Sequence, residues 1–127
     1  MTTIRIAVGD LDLIADLNDS DTAEAIVDAL PIEGSASIWG DEIYFSIPVS
    51  ADLDEGARAV VAMGELAYWP PGDAFCIFWG PTPASQSLGE IRAASEVNPV
   101  GQLRAIPVPD LRSVQVGEVV RMELYME

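Results

Sequence analysis

Residues Gly64 to Pro83 constrain the fold of this chain more than any other stretch. They read GELAYWPPGDAFCIFWGPTP and hold two of the three Trp, two of the three Phe, four of the nine Pro and the only Cys. Leu66 to Trp69 and Ala74 to Trp79 are both strand-like, and in the second run alternation separates Phe75, Ile77 and Trp79 from Ala74, Cys76 and Phe78. The Pro70-Pro71-Gly72-Asp73 segment between them predicts a turn, because Pro fixes φ and Gly accepts positive φ. The stretch therefore predicts a β-hairpin at the centre of the fold and a candidate binding site.

Alternating apolar and polar residues predict further strands on the N-terminal side of this hairpin. Thr3 to Val8 and Leu11 to Leu17 flank a Gly9-Asp10 turn and predict an opening hairpin. Gly40-Asp41 separates two more β-rich runs, Ser35 to Trp39 and Glu42 to Val49. In the second of these runs the alternation separates two faces, Ile43, Phe45 and Ile47 on one and Glu42, Tyr44 and Ser46 on the other.

Helical signals occur at two places. Asp21 is a good N-cap with Glu24 at capping-box spacing, and Pro31 ends the helix because it lacks a backbone donor and disfavours α geometry at the residue before it. Asp110 to Ser113 predicts a second helical turn. Asp52 to Arg58 predicts a loop or a single turn, followed by a strand over Ala59 to Met63.

The C-terminal half carries weaker signals. Ala84 to Asn98 has only short apolar pieces and predicts an extended loop with one short element. Pro99 precedes a predicted strand around Val100 to Ile106. Val119 to Met126 alternates again and predicts a last strand with four apolar residues on one face. About eight short strands with many Gly and Pro turns predict a closed antiparallel barrel or a sandwich.

Composition places the chain among compact, non-membrane proteins. Its 127 residues predict one domain spanning 1–127, large enough to bury about two-thirds of the surface that the unfolded chain exposes. No apolar run approaches the ~20 residues of a membrane span, and the N-terminal MTTIRIAV lacks the basic region of a signal peptide. The expected location is therefore the cytoplasm.

The charged residues exclude several classes of chemistry. Six Arg, no Lys, no His and 21 acidic residues give a net charge of −15, so we expect no nucleic acid and no membrane surface as a partner. Without His or Lys, catalytic triads, HExxH metal sites, Schiff-base chemistry and P-loop chemistry are excluded. The carboxylate pairs Asp10/Asp12, Asp19/Asp21 and Asp52/Asp54 lie in no twelve-residue calcium-loop pattern, and we expect neither a metal nor a cofactor.

Two interpretations account for the acidity. Carboxylates spread along the chain suit a salt-rich cytoplasm, where they keep the surface hydrated and ions screen their repulsion. A basic partner would also select an acidic surface but would be expected to concentrate the charge. The even spread favours the first interpretation, which predicts a melting temperature that rises with molar salt.

The central stretch, with GDEIYF upstream at Gly40 to Phe45 and NPVG downstream at Asn98 to Gly101, resembles a small prokaryotic cyclophilin-like family of unknown function. The resemblance covers nearly the whole chain in element order. It implies a mainly β fold: a closed eight-stranded antiparallel barrel with one or two short helices. It implies no established activity.

The wider cyclophilin fold includes peptidyl-prolyl isomerases, and the resemblance allows their motifs to be compared. The isomerase sequence Phe-His-Arg-x-Ile-Pro corresponds to Ile43 to Pro48, so that Phe45 stands at the catalytic Arg position. Gly-Ser-Gln-Phe-Phe-Ile corresponds to Gly72 to Ile77, where Ala74 replaces the substrate-orienting Gln and Cys76 replaces the pocket Phe. The positions that form the fold are kept and those that carry the chemistry are not, so no catalytic residue is predicted.

Each candidate site residue has a structural alternative. Tyr68 and Trp69 either stack on a flat ligand or plug one end of the barrel. Glu65 is either an acid or base with a raised pKa or a solvated carboxylate. Cys76 is either a nucleophile, for which the sequence offers no basic partner, or an inert buried thiol. Thr82 is either a rim hydroxyl or a turn cap. The predicted ligand-contacting residues are Tyr44, Phe45, Glu65, Tyr68, Trp69, Cys76, Phe78 and Thr82.

Three functional hypotheses follow from the sequence. The leading one is a domain that binds a small apolar ligand or a proline-containing peptide near the central hairpin, without established catalysis. The second is a divergent peptidyl-prolyl isomerase. The third is a structural domain whose exposed aromatic residues form a subunit interface in a homo-oligomer.

Overall fold

The computed structural model describes residues 1–126, and within that range the chain forms ten strands and two short helices. Every strand pair is antiparallel. The predicted mainly β architecture is therefore confirmed. The strands are β1 (Thr2–Val8), β2 (Leu11–Leu17), β3 (Ile32–Ser35), β4 (Ser37–Ile38), β5 (Glu42–Ser46), β6 (Arg58–Val61), β7 (Glu65–Trp69), β8 (Ala74–Phe78), β9 (Ile91–Leu103) and β10 (Val119–Leu124), and the helices are α1 (Asp21–Ala29) and α2 (Val108–Arg112).

Nine strands follow one continuous order in residues 1–126, β3-β10-β1-β2-β9-β7-β8-β5-β4, and β6 pairs with β9 outside that order. The two ends of the order, β3 and β4, are consecutive in the chain and are joined by Ala36. Ala36 exchanges backbone hydrogen bonds with Gly117 and Glu118, each 2.9 Å long, and so separates β3 from β4 within the predicted Ser35 to Trp39 run. The sheet thus curls until its edges meet through the covalent chain. It has ten strands instead of eight, and its hydrogen-bonded order does not close.

The inner face of the curled sheet holds the main core, which we call the interior cluster. Phe45 on β5 and Phe75 on β8 lie opposite each other in register, with ring centroids 5.6 Å apart. Gly34 on β3 lies against Phe45, and a Cβ there would come within 2.8 Å of the ring. This close approach brings the β3 edge over β5. The largest fully buried members of the cluster are Tyr68, Phe45, Phe75, Ile4, Ile6, Leu17, Ile26, Ile43, Leu66, Ile77 and Leu111.

Strand β9 is the element that the sequence predicted wrongly. Instead of an extended loop over Ala84 to Asn98, the strand begins at Ile91 and continues through Pro99 to Leu103. Its C-terminal half pairs with β7 and β2, whereas its N-terminal half pairs only with β6. A register shift at Leu66/Ala67 lies opposite the Pro99 region, where Pro supplies no backbone donor.

We call β6 together with Ile91 to Val97 the arm. The apolar pattern of β9 breaks because the strand changes partners along its length, so no single alternation runs through it. The arm packs on the outer face of β7 and β8 and creates a second, smaller core. This outer cluster consists of Val61, Ala67, Ala74, Cys76, Phe78, Ile91, Ala93 and Val97.

A polar clamp fixes the segment that leads from β5 to the arm. Tyr68 and Asn98 are register partners on β7 and β9, and both are fully buried. The Tyr68 hydroxyl lies 2.7 Å from the Val49 carbonyl oxygen and accepts from the Ala51 N–H at 3.2 Å. Asn98 donates to the Asp52 carbonyl at 2.8 Å and accepts from the backbone N–H of residue 54 at 2.9 Å. The single Tyr68 proton has two acceptors within reach, the Val49 carbonyl and the Asp73 carboxylate at 2.9 Å. The cross-strand pair thus satisfies three backbone groups of this connection and contacts a fourth.

The helix α1 begins one residue earlier than predicted. Ser20, not Asp21, is the N-cap, and its Oγ accepts from the Ala23 N–H at 3.2 Å. Asn18 accepts from the Ser20 backbone N–H at 3.1 Å and thereby holds Ser20 in the extended conformation that a cap requires. The helix ends at Ala29 with Leu30 as its C-cap, directly before Pro31, as predicted. Neither helix within residues 1–126 has the length and apolar character needed to cross a membrane.

The predicted opening hairpin β1–β2 and central hairpin β7–β8 are confirmed, with their turns at the predicted positions. The turn of the central hairpin differs in one detail, because the positive φ of 45° falls on Asp73 and not on Gly72. Gly72 is needed for space: a Cβ there would lie 2.9 Å from the ring of Trp69. The Pro70–Gly72 segment forms a single 3₁₀ turn.

The last strand, β10, ends at Leu124 and not at Met126 as predicted. Val120 and Met122 face the interior cluster, whereas Leu124 is 47% exposed and Met126 is 82% exposed. The ladder between β1 and β10 reaches only from Val120 to Leu124, so Met126 lies beyond the paired residues.

Candidate functional site

A cavity of about 210 Å³ lies between the outer face of the sheet and the arm. The sheet side is formed by β5, β8 and the end of β7, together with the turn that precedes β5. The arm side is formed by three small or branched apolar residues of β9. The cavity is lined by Trp39, Glu42, Tyr44, Trp69, Cys76, Ala93, Ala94 and Val97.

Strand register explains why these sheet residues share one face. Tyr44 on β5 pairs with Cys76 on β8, and Cys76 pairs in turn with Ala67 on β7. Since side chains alternate along a strand, Glu42 points to the same face as Tyr44, two residues away. The cavity floor is therefore a continuous row across three strands, while the residues between them face the interior cluster.

Trp69 connects the sheet to the arm. Its indole Nε1 donates to the Ser95 Oγ at 2.7 Å, and Gly72 lies against its ring. The hydrogen bond ties the end of β7 to the arm and fixes the orientation of the indole. Trp69 therefore presents a positioned aromatic surface to the cavity, with its N–H already engaged.

Glu42 is the only cavity-lining residue with an ionisable carboxyl group, and just 6% of the residue is exposed. Burial raises the pKa of Glu42 to about 7, and a hydrogen bond from the Cys76 thiol opposes part of this rise. Burial also raises the pKa of the Cys76 thiol well above its ordinary value, and the neighbouring carboxylate adds to that rise. At neutral pH the cavity thus contains a protonated thiol and a carboxyl group that titrates.

Each of the six Arg side chains is engaged with a carboxylate, and none belongs to the cavity lining. The carboxylates of residues 1–126 and Cys76 also form no cluster that could hold a metal ion. The cavity therefore carries acidic character without a neighbouring cation. The ion pairs are Arg5 with Asp12, Arg58 with Glu65, Arg92 with Glu90, Arg104 with Asp16, Arg112 with Asp41, and Arg121 with Glu33.

The cavity brings together three of the predicted site residues, Tyr44, Trp69 and Cys76. Phe78 lies in the outer cluster but does not line the cavity. Phe45 and Tyr68 lie in the interior cluster, on the opposite face of the sheet. Their side chains alternate with those of the cavity floor, so the same register that places Tyr44 in the cavity directs Phe45 away from it.

Thr82 and Glu65 have structural partners outside the cavity. The Thr82 Oγ1 donates to the Arg92 carbonyl and accepts from the Ala84 N–H at 3.2 Å, which makes it a turn cap. Glu65 forms an ion pair with Arg58 and accepts from the Ala62 N–H at 2.8 Å. This carboxylate holds the tight turn between β6 and β7.

Sequence reasoning missed five of the lining residues. Glu42 had a usable signal, because alternation already placed it on the face of Tyr44, but it was not among the predicted ligand-contacting residues. Trp39 lies just before the Gly40-Asp41 turn, and its contribution depends on how that hairpin folds. The remaining three residues, Ala93, Ala94 and Val97, belong to the part of β9 that was predicted to be a loop.

Comparison with known proteins supports the architecture. A family model described as Cyclophilin-like matches residues 2–123, which confirms the resemblance predicted from the sequence. The solution structure of a hypothetical protein from Archaeoglobus fulgidus is 38% identical, with a TM-score of 0.82, covering 98% of this chain and 95% of that one. A search of curated protein sequences finds no match to this chain.

A second solved structure, McbB in complex with tryptophan, is 14% identical to this chain, with a TM-score of 0.70. The alignment covers 98% of this chain but only 45% of McbB. At this level of identity the likeness concerns the fold alone. The chain therefore corresponds to slightly less than half of that larger protein.

Proposed function

The chain belongs to the cyclophilin-like family, and from that premise we propose that it is a binding domain that takes a small, largely apolar ligand in the cavity between the outer sheet face and the arm. The observation that carries the proposal is an aromatic-walled cavity with one buried carboxyl group, Glu42, among its lining residues. Apolar pockets with a few placed polar groups are the usual form of small-molecule sites.

The size of the cavity limits what it can hold. Its volume of about 210 Å³ lies below the roughly 300–1,000 Å³ typical of sites for drug-sized molecules. A single ring system or one side chain of a peptide, such as a proline ring, fits this scale. A longer peptide would have to lie mostly outside the cavity.

Three of the eight lining residues, Trp39, Tyr44 and Trp69, are aromatic. Aromatic rings bind flat or compact apolar groups through area burial and ring geometry. The Ser95 hydrogen bond fixes Trp69 before any ligand arrives, which lowers the ordering cost of binding. A preformed wall of this kind supports recognition of a small ligand.

Indole is a suitable first probe, because it is flat, neutral and a single ring system. A tryptophan-bound protein of the same fold, McbB, also motivates the choice. We expect a titration followed by ¹H–¹⁵N NMR to shift the resonances of Trp39, Tyr44, Trp69 and the arm residues 93–97. Shifts confined to other surfaces, or no shifts at all, would contradict the proposal.

Tyr44→Ala removes one wall of the cavity, and we expect it to weaken indole binding about three- to tenfold, the range set by the worth of one aromatic contact. The matched control is Tyr125→Ala, because Tyr125 is 36% exposed and does not line the cavity. The same NMR titration measures both variants. Equal affinities of the two variants would place the binding site elsewhere.

Peptidyl-prolyl isomerase activity ranks below ligand binding, because each Arg is paired with a carboxylate outside the cavity. Phe45, at the position corresponding to the catalytic Arg, packs in the interior cluster. The cavity lining therefore contains no guanidinium group that could lower the rotation barrier of a proline amide, which is about 20 kcal/mol. In a protease-coupled assay with a proline peptide, we expect the uncatalysed rate even at high protein concentration. A rate that rises in proportion to protein would reverse this ranking.

The third hypothesis, an interface domain, relies on exposed aromatic residues. Among the exposed large apolar side chains of residues 1–126, only Tyr125 is aromatic, and the others are scattered along the chain at positions such as Leu53, Leu88 and Val116. Scattered exposed side chains are ordinary on a protein surface. Light scattering at high protein and salt concentration separates this hypothesis from ligand binding, because only an interface domain requires a stable oligomer.

A further inference from the structure

We propose that the ligand of this cavity is a small organic cation, an ammonium group with apolar substituents held between the aromatic walls and the Glu42 carboxylate. This inference rests on the proposed function and specifies the chemical class of the ligand. Three features of the cavity support it: the composition of its walls, its charge, and the environment of its one carboxyl group.

The walls contain aromatic side chains from three places in the fold. Trp39 precedes β5, Tyr44 lies within β5, and Trp69 ends β7. The ring quadrupole makes aromatic faces attractive to cations, most strongly for Trp, and this attraction grows when the site is shielded from water. Since the Nε1 of Trp69 is occupied by Ser95, what this residue can offer a ligand is its ring.

The charge of the cavity is complementary to a cation and opposed to an anion. Glu42 is the only residue with a formal charge among the eight that line the cavity. The chain as a whole carries a net charge of −15, so its field attracts cations over a longer range as well. A carboxylate buried beside aromatic rings is costly to keep ionised without a positive partner, and a bound ammonium group would supply that partner.

The groups around Glu42 are few, so its protonation can report on the ligand. Cys76 faces it from β8 and holds its proton, and Tyr44 is its neighbour on β5. The arm contributes only apolar side chains to the lining, and the adjacent Arg92 is paired with Glu90. Asp41, next to Glu42 in the chain, is paired with Arg112.

A permanent cation prefers the ionised form of Glu42, and this preference fixes the sign of the pH dependence. Because the pKa of Glu42 is about 7, most of the carboxyl groups are protonated at pH 6 and ionised at pH 8. Linkage then predicts that the affinity for a cation increases about tenfold from pH 6 to pH 8. A neutral ligand would show no increase, or a decrease.

Choline and its neutral isostere 3,3-dimethylbutan-1-ol are the probes that separate charge from shape. Choline has no titrating group in this range, so any pH dependence of its binding comes from the protein. We expect choline to shift the NMR resonances of the cavity residues, to bind more tightly than the isostere at pH 8, and to gain about tenfold in affinity between pH 6 and pH 8.

Glu42→Gln keeps the shape of the side chain and removes the charge. We expect it to weaken choline binding at pH 8 at least about tenfold and to abolish the pH dependence. Glu96→Gln is the matched control, because Glu96 is exposed on the arm and does not line the cavity. The wild-type pH series tests the proposal independently of how well either variant folds.

The outcomes separate this inference from the proposed function. Two results would contradict the proposal that the ligand is a cation: binding of the isostere that equals or exceeds that of choline, or an affinity for choline that stays constant or falls as the pH rises. Either result would still leave the cavity as a binding site. Binding of indole without binding of choline would have both of these consequences. If neither choline, the isostere nor indole perturbs the cavity residues, both the inference and the proposed function are wrong.

Discussion

Asn98→Ala is expected to lower the free energy of unfolding by about 3 kcal/mol, because it leaves buried backbone groups without partners, each worth about 1–3 kcal/mol. Asn98 is fully buried and makes three hydrogen bonds. Two of them satisfy the Asp52 carbonyl and the N–H of residue 54, and the third reaches the Thr22 hydroxyl at 3.1 Å. Alanine supplies none of these groups and also leaves a small cavity.

Under the proposed function, this variant should also affect ligand binding. The segment that Asn98 holds leads from β5 to β6, and β6 is the strand that pairs with the cavity-lining half of β9. Loosening it should weaken the protection of the arm amides from hydrogen exchange before global unfolding. We therefore expect Asn98→Ala to weaken indole binding more than a substitution at a residue that contacts neither the arm nor the cavity.

Chemical denaturation measures the stability effect. Gln115→Ala is the matched control, because it removes an exposed amide side chain and should change stability by no more than about 0.5 kcal/mol. A loss of less than about 1 kcal/mol for Asn98→Ala would show that the clamp contributes no more than a typical single hydrogen bond.

Glu42→Gln is expected to stabilise the protein at pH 8 and to leave it nearly unchanged near pH 4.5. In the folded state the pKa of Glu42 is about 7, above the ordinary value of 4.5. Between these two values the folded protein holds a proton that the unfolded chain has released. The stability of the wild type therefore falls as the pH rises through this window, by about 3 kcal/mol in total. The glutamine side chain does not ionise in this pH range, so the variant does not lose this stability as the pH rises.

Thermal or chemical unfolding of both proteins from pH 4.5 to pH 8 checks the prediction. The exposed Glu96→Gln variant removes the same charge and controls for the general repulsion of an acidic chain. The difference between Glu42→Gln and the wild type should grow with pH, while that of the control should stay small. Parallel stability curves for the wild type and Glu42→Gln would mean that Glu42 is not buried as an isolated carboxyl group.

The parts of the fold that sequence predicted are those that local rules decide. Gly9-Asp10 fixes the first hairpin, Pro31 limits the helix, and the alternation of Ala74 to Trp79 correctly divides that strand between two cores. Turn residues, backbone donors and a period of two act over a few neighbours. Such signals are visible without knowledge of the rest of the chain.

The parts that sequence did not predict depend on distant partners. The N-terminal half of β9 is a strand because β6 pairs with it, and its sequence alone lacks a clean period. Glu42 is buried because the arm, about fifty residues later, covers the face on which it lies. Asn98 belongs to the NPVG segment that carries the family resemblance. Its role in the clamp depends on Tyr68, its partner on the neighbouring strand, and on residues 49–54, whose backbone groups the two side chains contact.

The candidate site follows the same division. Alternation placed Tyr44 and Cys76 on the faces that meet in the cavity, and the Pro-Pro-Gly turn marked the end of the strand that carries Trp69. Alternation also shows why Phe45 and Tyr68 lie in the interior cluster, since each is adjacent in sequence to a residue on the outer face. A hypothesis based on aromatic content alone could not distinguish these two faces.

The central claim is that the cavity beneath the arm is a ligand site. A crystal structure of the protein soaked with indole tests it most directly. We expect density for one indole molecule between Trp39, Tyr44 and Trp69, on the side of the sheet that carries Glu42. An empty cavity in crystals that bind indole at another surface, or a cavity filled by the protein's own side chains, would contradict the claim.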